Sequence, residues 1–305
     1  MDFTKSFIKA KNPCADGFRW YLRHHRDGSD YQQVLDDLVS AGRIEDACWL
    51  LDKVGPTHTV LQLDRLECNA LVFAGTVEVR GSIDVDSVLR AGGSIRCGGT
   101  LRVGREIVAG DDVKAAGGVN CTGDVRCQGS LLADWHLNIG GRLRAGELKV
   151  GGSVSCTGSM TVAGAALVKG DLLIDGDCTA KALSVRGKVQ TSGYLRIWQG
   201  LICDASADCG GHLDAEWGIK SGGDVVAAGA IRAGESIEAN GEIRAGAGYG
   251  VFAGLCVQSE DWDTSARVTA RTKPVSLMSG FWTGTGDAMR EEPFGRDAAE
   301  MLDAH

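Results

Sequence analysis

Aliphatic side chains recur at every sixth position over most of this chain, and a small or aliphatic residue follows each by two. The phase reads Ile95/Cys97, Leu101/Val103, Ile107/Ala109, Val113/Ala115, Val119/Cys121 and Val125/Cys127, and continues to Leu143/Ala145. It loses one residue and resumes at Leu148/Val150, loses another and resumes at Leu183/Val185, then runs on to Ile243/Ala245. Residues at i and i+2 share one face of a strand. Each pair therefore predicts a three-residue strand with both side chains turned inward. Gly, Asp, Asn and Ser fill the gaps, as in Gly98-Gly99, Gly110-Asp111 and Gly222-Gly223. These residues suit tight corners. Strands and corners in alternation predict a mainly β chain, a single-stranded β-solenoid with about three short strands per coil. At about eighteen residues per coil the repeat supplies about ten or eleven coils.

The period is absent from residues 1–58. There, Tyr31–Ala41 and Ile44–Val54 place apolar residues at helical spacing. Ser29 or Asp30 caps the first helix and Gly42 stops it; Gly55-Pro56 stops the second. Phe18–Tyr21 suggests another helix or turn. The expectation is a small helical cap packed over the first coil. After Ile243 the period decays. Tyr249–Gly254 and Leu255–Val257 read as last strands, Asp261-Trp262 and Ser265–Thr269 break the phase, and Phe281-Trp282 folds back over the end. A terminal helix is expected at Asp297–Ala304. The predicted organisation is a helical module at 1–58, a solenoid at 59–257, and a C-terminal cap and polar tail at 258–305.

Composition narrows the function classes. Glycine is 44 of 305 residues and proline only 4, and the glycines are periodic, so this is a folded repeat and not a disordered tract. A net charge of −8 argues against general nucleic-acid binding. The absence of a long apolar run and of a charged-then-apolar leader predicts a cytoplasmic chain without membrane contact. Of the 11 cysteines, Cys97, Cys121, Cys127, Cys156, Cys203 and Cys209 fall on the small inner position and read as buried thiols. None has another in the adjacent coil of its face, so no bridge is expected, which suits a reducing compartment. Cys14 and Cys48 lie outside the repeat, and two ligands alone do not define a metal site. No cofactor or metal is predicted.

The candidate chemistry points away from catalysis. His24 and His25 are neighbours and diverge on a helix. His136 and His212 take outward corner positions with Asp134 and Asp214 near in sequence, but no nucleophile elbow, phosphate loop or HExxH accompanies them. Arg90, Arg96, Arg102, Lys114, Arg126 and Arg144 alternate with Glu106, Asp112 and Asp124 as a solvated surface. Aromatic residues on the outside are more informative. Leu195 and Leu213 stand one coil apart, which places Trp198 and Trp217 on one edge with Tyr194 and His212 beside them, and Trp135 on another. Exposed Trp and Tyr side chains anchor protein interfaces.

The segments Gly75–Asp86 (GTVEVRGSIDVD) and Gly93–Gly104 (GSIRCGGTLRVG) resemble the repeat of bactofilins, the polymer-forming β-solenoid proteins of bacterial cytoskeletons. The resemblance covers roughly residues 60–250. It implies a β-solenoid, and a scaffold or filament joined through open ends. The longer rod and the folded segment at each end depart from it. A second comparison bears on handedness: left-handed hexapeptide acyltransferases place the small residue two before the aliphatic one. Here it follows, which favours a right-handed coil. The sequence expectation is thus a non-enzymatic, protein-binding β-solenoid, monomeric or a small oligomer. Its most concrete form is an immunity or antitoxin-type protein that neutralises a cytosolic toxic enzyme, because the ends read as capped and the surface as acidic. A bactofilin-like scaffold is the alternative, and a hexapeptide-type acyltransferase the second alternative.

Overall fold

Helix signals at the N-terminus and the six-residue period after it produce two different structures. The computed structural model describes residues 2–25 and 29–284. Helices α1 (Lys5–Ala10), α2 (Ala15–His24), α3 (Tyr31–Ser40) and α4 (Ile44–Val54) come first. Asp30 caps α3, its Oδ1 accepting from Gln32 N at 3.0 Å. Ser29 has another partner, His25 Nδ1 at 2.6 Å. Gly42 and Gly55 end α3 and α4 at φ of +72° and +94°, where a side chain would be strained. Val34, Leu35 and Leu38 of α3 bury against Ala47, Leu50 and Leu51 of α4 and against Trp20 and Tyr21 of α2. Helix α1 has no counterpart in the sequence expectation; at 6 residues it is too short to show a period.

From Val60 onward the chain winds into a parallel β-solenoid of about 12 turns. At ~4.8 Å per turn the rod is on the order of 55 Å long. Its first face begins with Leu66–Cys68, its second with Leu71–Phe73 and its third with Val60–Leu63. Strands pair in register with their equivalents one coil away, so that Leu101 lies between Ile83 and Val119. Between the first and last coils the inner pairs are buried, and the residue between them faces out. All six cysteines assigned to the small inner position are buried.

Both one-residue losses fall on the same corner, between the second and third faces, at Ala145–Leu148 and Ala180–Leu183. Near them the strands Met160–Val168 and Cys178–Val185 run through that corner unbroken. The coil shortens by one residue there: Leu131 pairs with Leu148, and Ala166 with Leu183.

Corner side chains tie successive coils together. Asp124 Oδ1 accepts from Arg142 N at 2.8 Å, Asp177 Oδ1 from Tyr194 N at 2.8 Å, and Asp224 Oδ1 from Glu242 N at 2.7 Å. The passing carboxylate needs space in the next coil. A Cβ on Gly141 would lie 2.4 Å from Asp124 Oδ1, so glycine stands there.

The N-terminal module covers the start of the rod on one side only. Among the described residues, strand Leu71–Phe73 pairs only with the coil above it. Gln32 of α3 takes the backbone groups at its other edge: its Nε2 donates to Val72 O at 3.0 Å, and its Oε1 accepts from Ala74 N at 2.9 Å. The strands that begin the first and third faces have no such cover among the described residues. Leu61, Leu63, Cys68 and Leu71 remain only partly buried, and Val60 is half exposed. The helical cap expected over the first coil packs on its second face, because a short helical hairpin spans one strand edge and not three.

At the other end the rod outlasts residue 257. Arg267–Thr269, expected to break the phase, is a strand on Ile237–Glu238. Leu277–Ser279 joins Val251–Phe252, and Phe281–Trp282 joins Arg267–Val268. Leu277 and Trp282 pack against the core. Leu255–Val257 is a turn instead of a strand, with Cys256 N bonded to Gly234 O at 2.8 Å. The terminal helix expected at Asp297–Ala304 lies outside the described residues.

Candidate aromatic corners

The solenoid sorts its outward aromatics by corner. Tyr194 and His212 precede strands of the second face, Leu195–Ile197 and Leu213–Ala215, so they occupy the corner between the first and second faces. Their rings stack at 5.4 Å with planes 20° apart, and Tyr249 meets His212 edge-on at 5.2 Å. Trp198 and Trp217 follow those same strands and occupy the next corner, between the second and third faces. Trp135 stands on the remaining corner, between Ser130–Ala133 of the third face and Leu137–Ile139 of the first. Trp135 is 65% exposed, Tyr194 54%, Trp198 47% and Trp217 48%.

Trp198 and Trp217 share one edge, and Tyr194 and His212, expected beside them, stand on the neighbouring edge. A three-residue strand separates Tyr194 from Trp198, and another separates His212 from Trp217, so the four form two edges. The tryptophans are also offset by one residue. Glu216, not Trp217, sits one coil beyond Trp198, with its N bonded to Ile197 O at 3.0 Å. Trp217 N bonds Gln199 O at 3.1 Å.

Between the two edges the second face carries Arg196, Asp214 and Arg232 in register. Asp214 lies 3.9 Å from Arg196 and 3.7 Å from Arg232, while its Oδ1 is buried without a hydrogen bond. The Arg196 guanidinium sits 5.8 Å from the Trp198 ring centroid. Leu255, 55% exposed, closes the far end of a shallow groove with Trp198, Asp214 and Glu216. Such a surface offers flat apolar contact framed by charge and suits a large partner.

Sequence reasoning missed Tyr249, Arg196, Asp214 and Glu216 as members of this surface. The 18-residue spacing of Arg196 and Asp214 was a usable signal. Tyr249 had none, since an irregular stretch precedes Val251 and breaks the count.

His24, His25, His136 and His212 each hold a contact within the fold. His212 Nδ1 accepts from Ala230 N at 2.8 Å, one coil along. His136 Nε2 lies 3.3 Å from Asn120 Oδ1. His24 stacks on Trp20 at 4.5 Å, while His25 is buried beside Tyr21, and burial lowers its pKa. Among the described residues no group of three or more His, Cys, Asp or Glu converges in a way that would hold a metal. Cys14 and Cys48 are both free; Cys14 Sγ accepts from Gly17 N at 3.2 Å at the start of α2. Burial pushes the thiol of Cys121 up to about 11, and those of Cys127 and Cys178 up to about 12. No helix among the described residues is long and apolar enough to cross a membrane.

Comparison with known proteins reaches the helical module alone. No curated protein and no solved structure matches the chain. A family model described as the YdhT N-terminal domain matches residues 1–58, the stretch that holds α1 to α4 and ends just before the rod begins.

Proposed function

We propose that this chain is a non-enzymatic, protein-binding β-solenoid whose contact surface lies on its aromatic corners. One observation carries the reading: a rod that buries its aliphatic pairs leaves Trp135, Trp198, Trp217 and Tyr194 about half exposed or more. Large aromatic side chains held on rigid corners lose little entropy when a partner covers them. The most concrete form is an inhibitor of the immunity or antitoxin type, acting on a toxic enzyme in a reducing cytoplasm. Unpaired thiols at all eleven cysteines support that compartment. The net charge of −8 supports a target with a basic surface.

A second reading, a bactofilin-like scaffold, is favoured by the half-covered start of the rod. Among the described residues the strands Val60–Leu63 and Leu66–Cys68 each pair on one side only, and a strand edge of this kind templates further pairing.

Affinity capture of the full chain from its own cells, followed by light scattering, separates the two. The binding reading expects a small particle that holds a stoichiometric partner and loses it in the Trp198→Ala/Trp217→Ala variant. Long polymers of the pure chain, unaffected by those substitutions, support the scaffold and overturn the inhibitor.

A further inference from the structure

Charges run one way along the corner that carries the two tryptophans. Its residues in four successive coils are 198–200, 216–218, 234–236 and 253–266. These hold Glu216, Glu235, Glu260, Asp261 and Asp263 and no Lys or Arg. Backbone bonds stack the segments: Glu216 N to Ile197 O at 3.0 Å, Glu235 N to Trp217 O at 3.0 Å, and Cys256 N to Gly234 O at 2.8 Å. All five acids are exposed. None makes an ion pair among the described residues. The first basic residue down this edge is Lys181, one coil before Trp198.

Like charges stacked along one edge repel each other and lower stability by small amounts. A cation placed among them removes that repulsion. The indoles beside them suit the same ligand, because the face of a Trp ring attracts guanidinium and ammonium groups. Trp198 already receives Arg196 of its own chain at 5.8 Å. Trp217 holds no such cation among the described residues, and it lies between Glu216 and Glu235 of adjoining positions.

We propose that this corner binds a Lys- and Arg-rich segment of the partner protein, with one cationic side chain over Trp217 between Glu216 and Glu235. The inference rests on the reading that the rod binds a protein, and it names the chemistry of that partner.

The test is calorimetric titration of the full chain, at low ionic strength, with a short Arg- and Lys-rich peptide and with its Glu-rich counterpart. The basic peptide is expected to bind and the acidic one not. Trp217→Ala should weaken binding about tenfold. Glu216→Gln/Glu235→Gln should weaken it about fivefold, and added salt should weaken it further. Equal affinity for both variants and the wild type would place the peptide elsewhere and overturn the proposal. Loss with Trp217→Ala but not with the double Gln variant overturns the charge argument and leaves protein binding standing. The same holds if the basic peptide fails to bind while a captured cellular partner is still lost from Trp198→Ala/Trp217→Ala. If that partner is also retained by the double Ala variant, both readings fail together.

Discussion

The side-chain amide of Gln32 lies against the backbone of Ala74 as a peptide group of a further coil would. Its Oε1 accepts from Ala74 N at 2.9 Å, while its Nε2 donates to Val72 O at 3.0 Å. A helix thereby supplies the last rung of a β-ladder, and the two modules share one hydrogen-bonded junction. Val72 and Ala74, outward on the rod, join the helical core.

Removing that rung should loosen the junction. Gln32→Ala leaves a buried N–H and C=O unpaired, at a cost of about 1–3 kcal/mol. The expected result is faster proteolysis near Gly55–Thr57, with the rod's own melting little changed. Equal cleavage rates in wild type and variant would show that apolar packing and the Arg90–Asp52 and Arg105–Glu45 ion pairs hold the module without it.

His212 and Gly229 should behave as a coupled pair. A Cβ on Gly229 would lie 2.4 Å from His212 Nδ1, and the closest atoms are all in that ring. Gly229→Ala should destabilise by about 1–3 kcal/mol, as overpacked sites do. The cost should largely vanish when His212→Ala is already present, because the ring is gone. A thermal or urea double-mutant cycle reads the coupling, and simple additivity would mean that the backbone sets the need for glycine.

Acid should act on the corner carboxylates. The Arg142 N–H holds the Asp124 carboxyl below its ordinary range, assisted by the Arg142 guanidinium. Burial works to raise Asp112, but the Ser130 N–H and Lys114 outweigh it and the net shift is downward. A depressed folded value means stability that is complete above the unfolded carboxyl pKa of ~3.9 and lost as pH falls through the folded one. Melting temperature should drop over that interval, and Asp124→Asn should shallow the drop. An unchanged acid limb would exclude Asp124 as a contributor.

Thiol chemistry should divide the cysteines sharply. Cys14 and Cys256 are exposed and should react at once with a disulfide reagent at neutral pH. Cys127 and Cys178, pushed up to about 12, should stay silent until the rod unfolds. Their raised values carry the opposite sign with pH. Stability is complete below the unfolded thiol pKa of ~8.5 and declines as pH rises from there toward the folded value. Mass spectrometry of alkylated peptides, taken with an alkaline melting series, checks both statements. Early labelling of Cys178 would refute the packed core.

Much of this fold was legible because side-chain alternation is local. Ile95 and Cys97 face one way whatever the rest of the chain does, so the strands, the inner pairs and the buried cysteines could be read in order. The aromatic surface was legible in part. Trp198, Trp217, Tyr194, His212 and Trp135 read as outward residues from the period alone, but the period sets Tyr194 only beside Trp198 and does not part their edges. Their separation depends on the chain turning after Ile197, and that turn also sets Trp198 beside Glu216.

By itself, then, the sequence determined the period, the inward pairs, the corner glycines and the presence of a helical segment before residue 59. Each is a choice made within a few residues of chain. Only the tertiary structure decided which corner each aromatic occupies, and that both lost residues fall on the same corner. It also decided that Arg267–Thr269 returns to the rod and that Gln32 braces one strand edge while Leu61 and Leu63 stay half covered. Those outcomes depend on hydrogen bonds closed between residues a coil or more apart. A six-residue period carries no information about which of three faces it has reached.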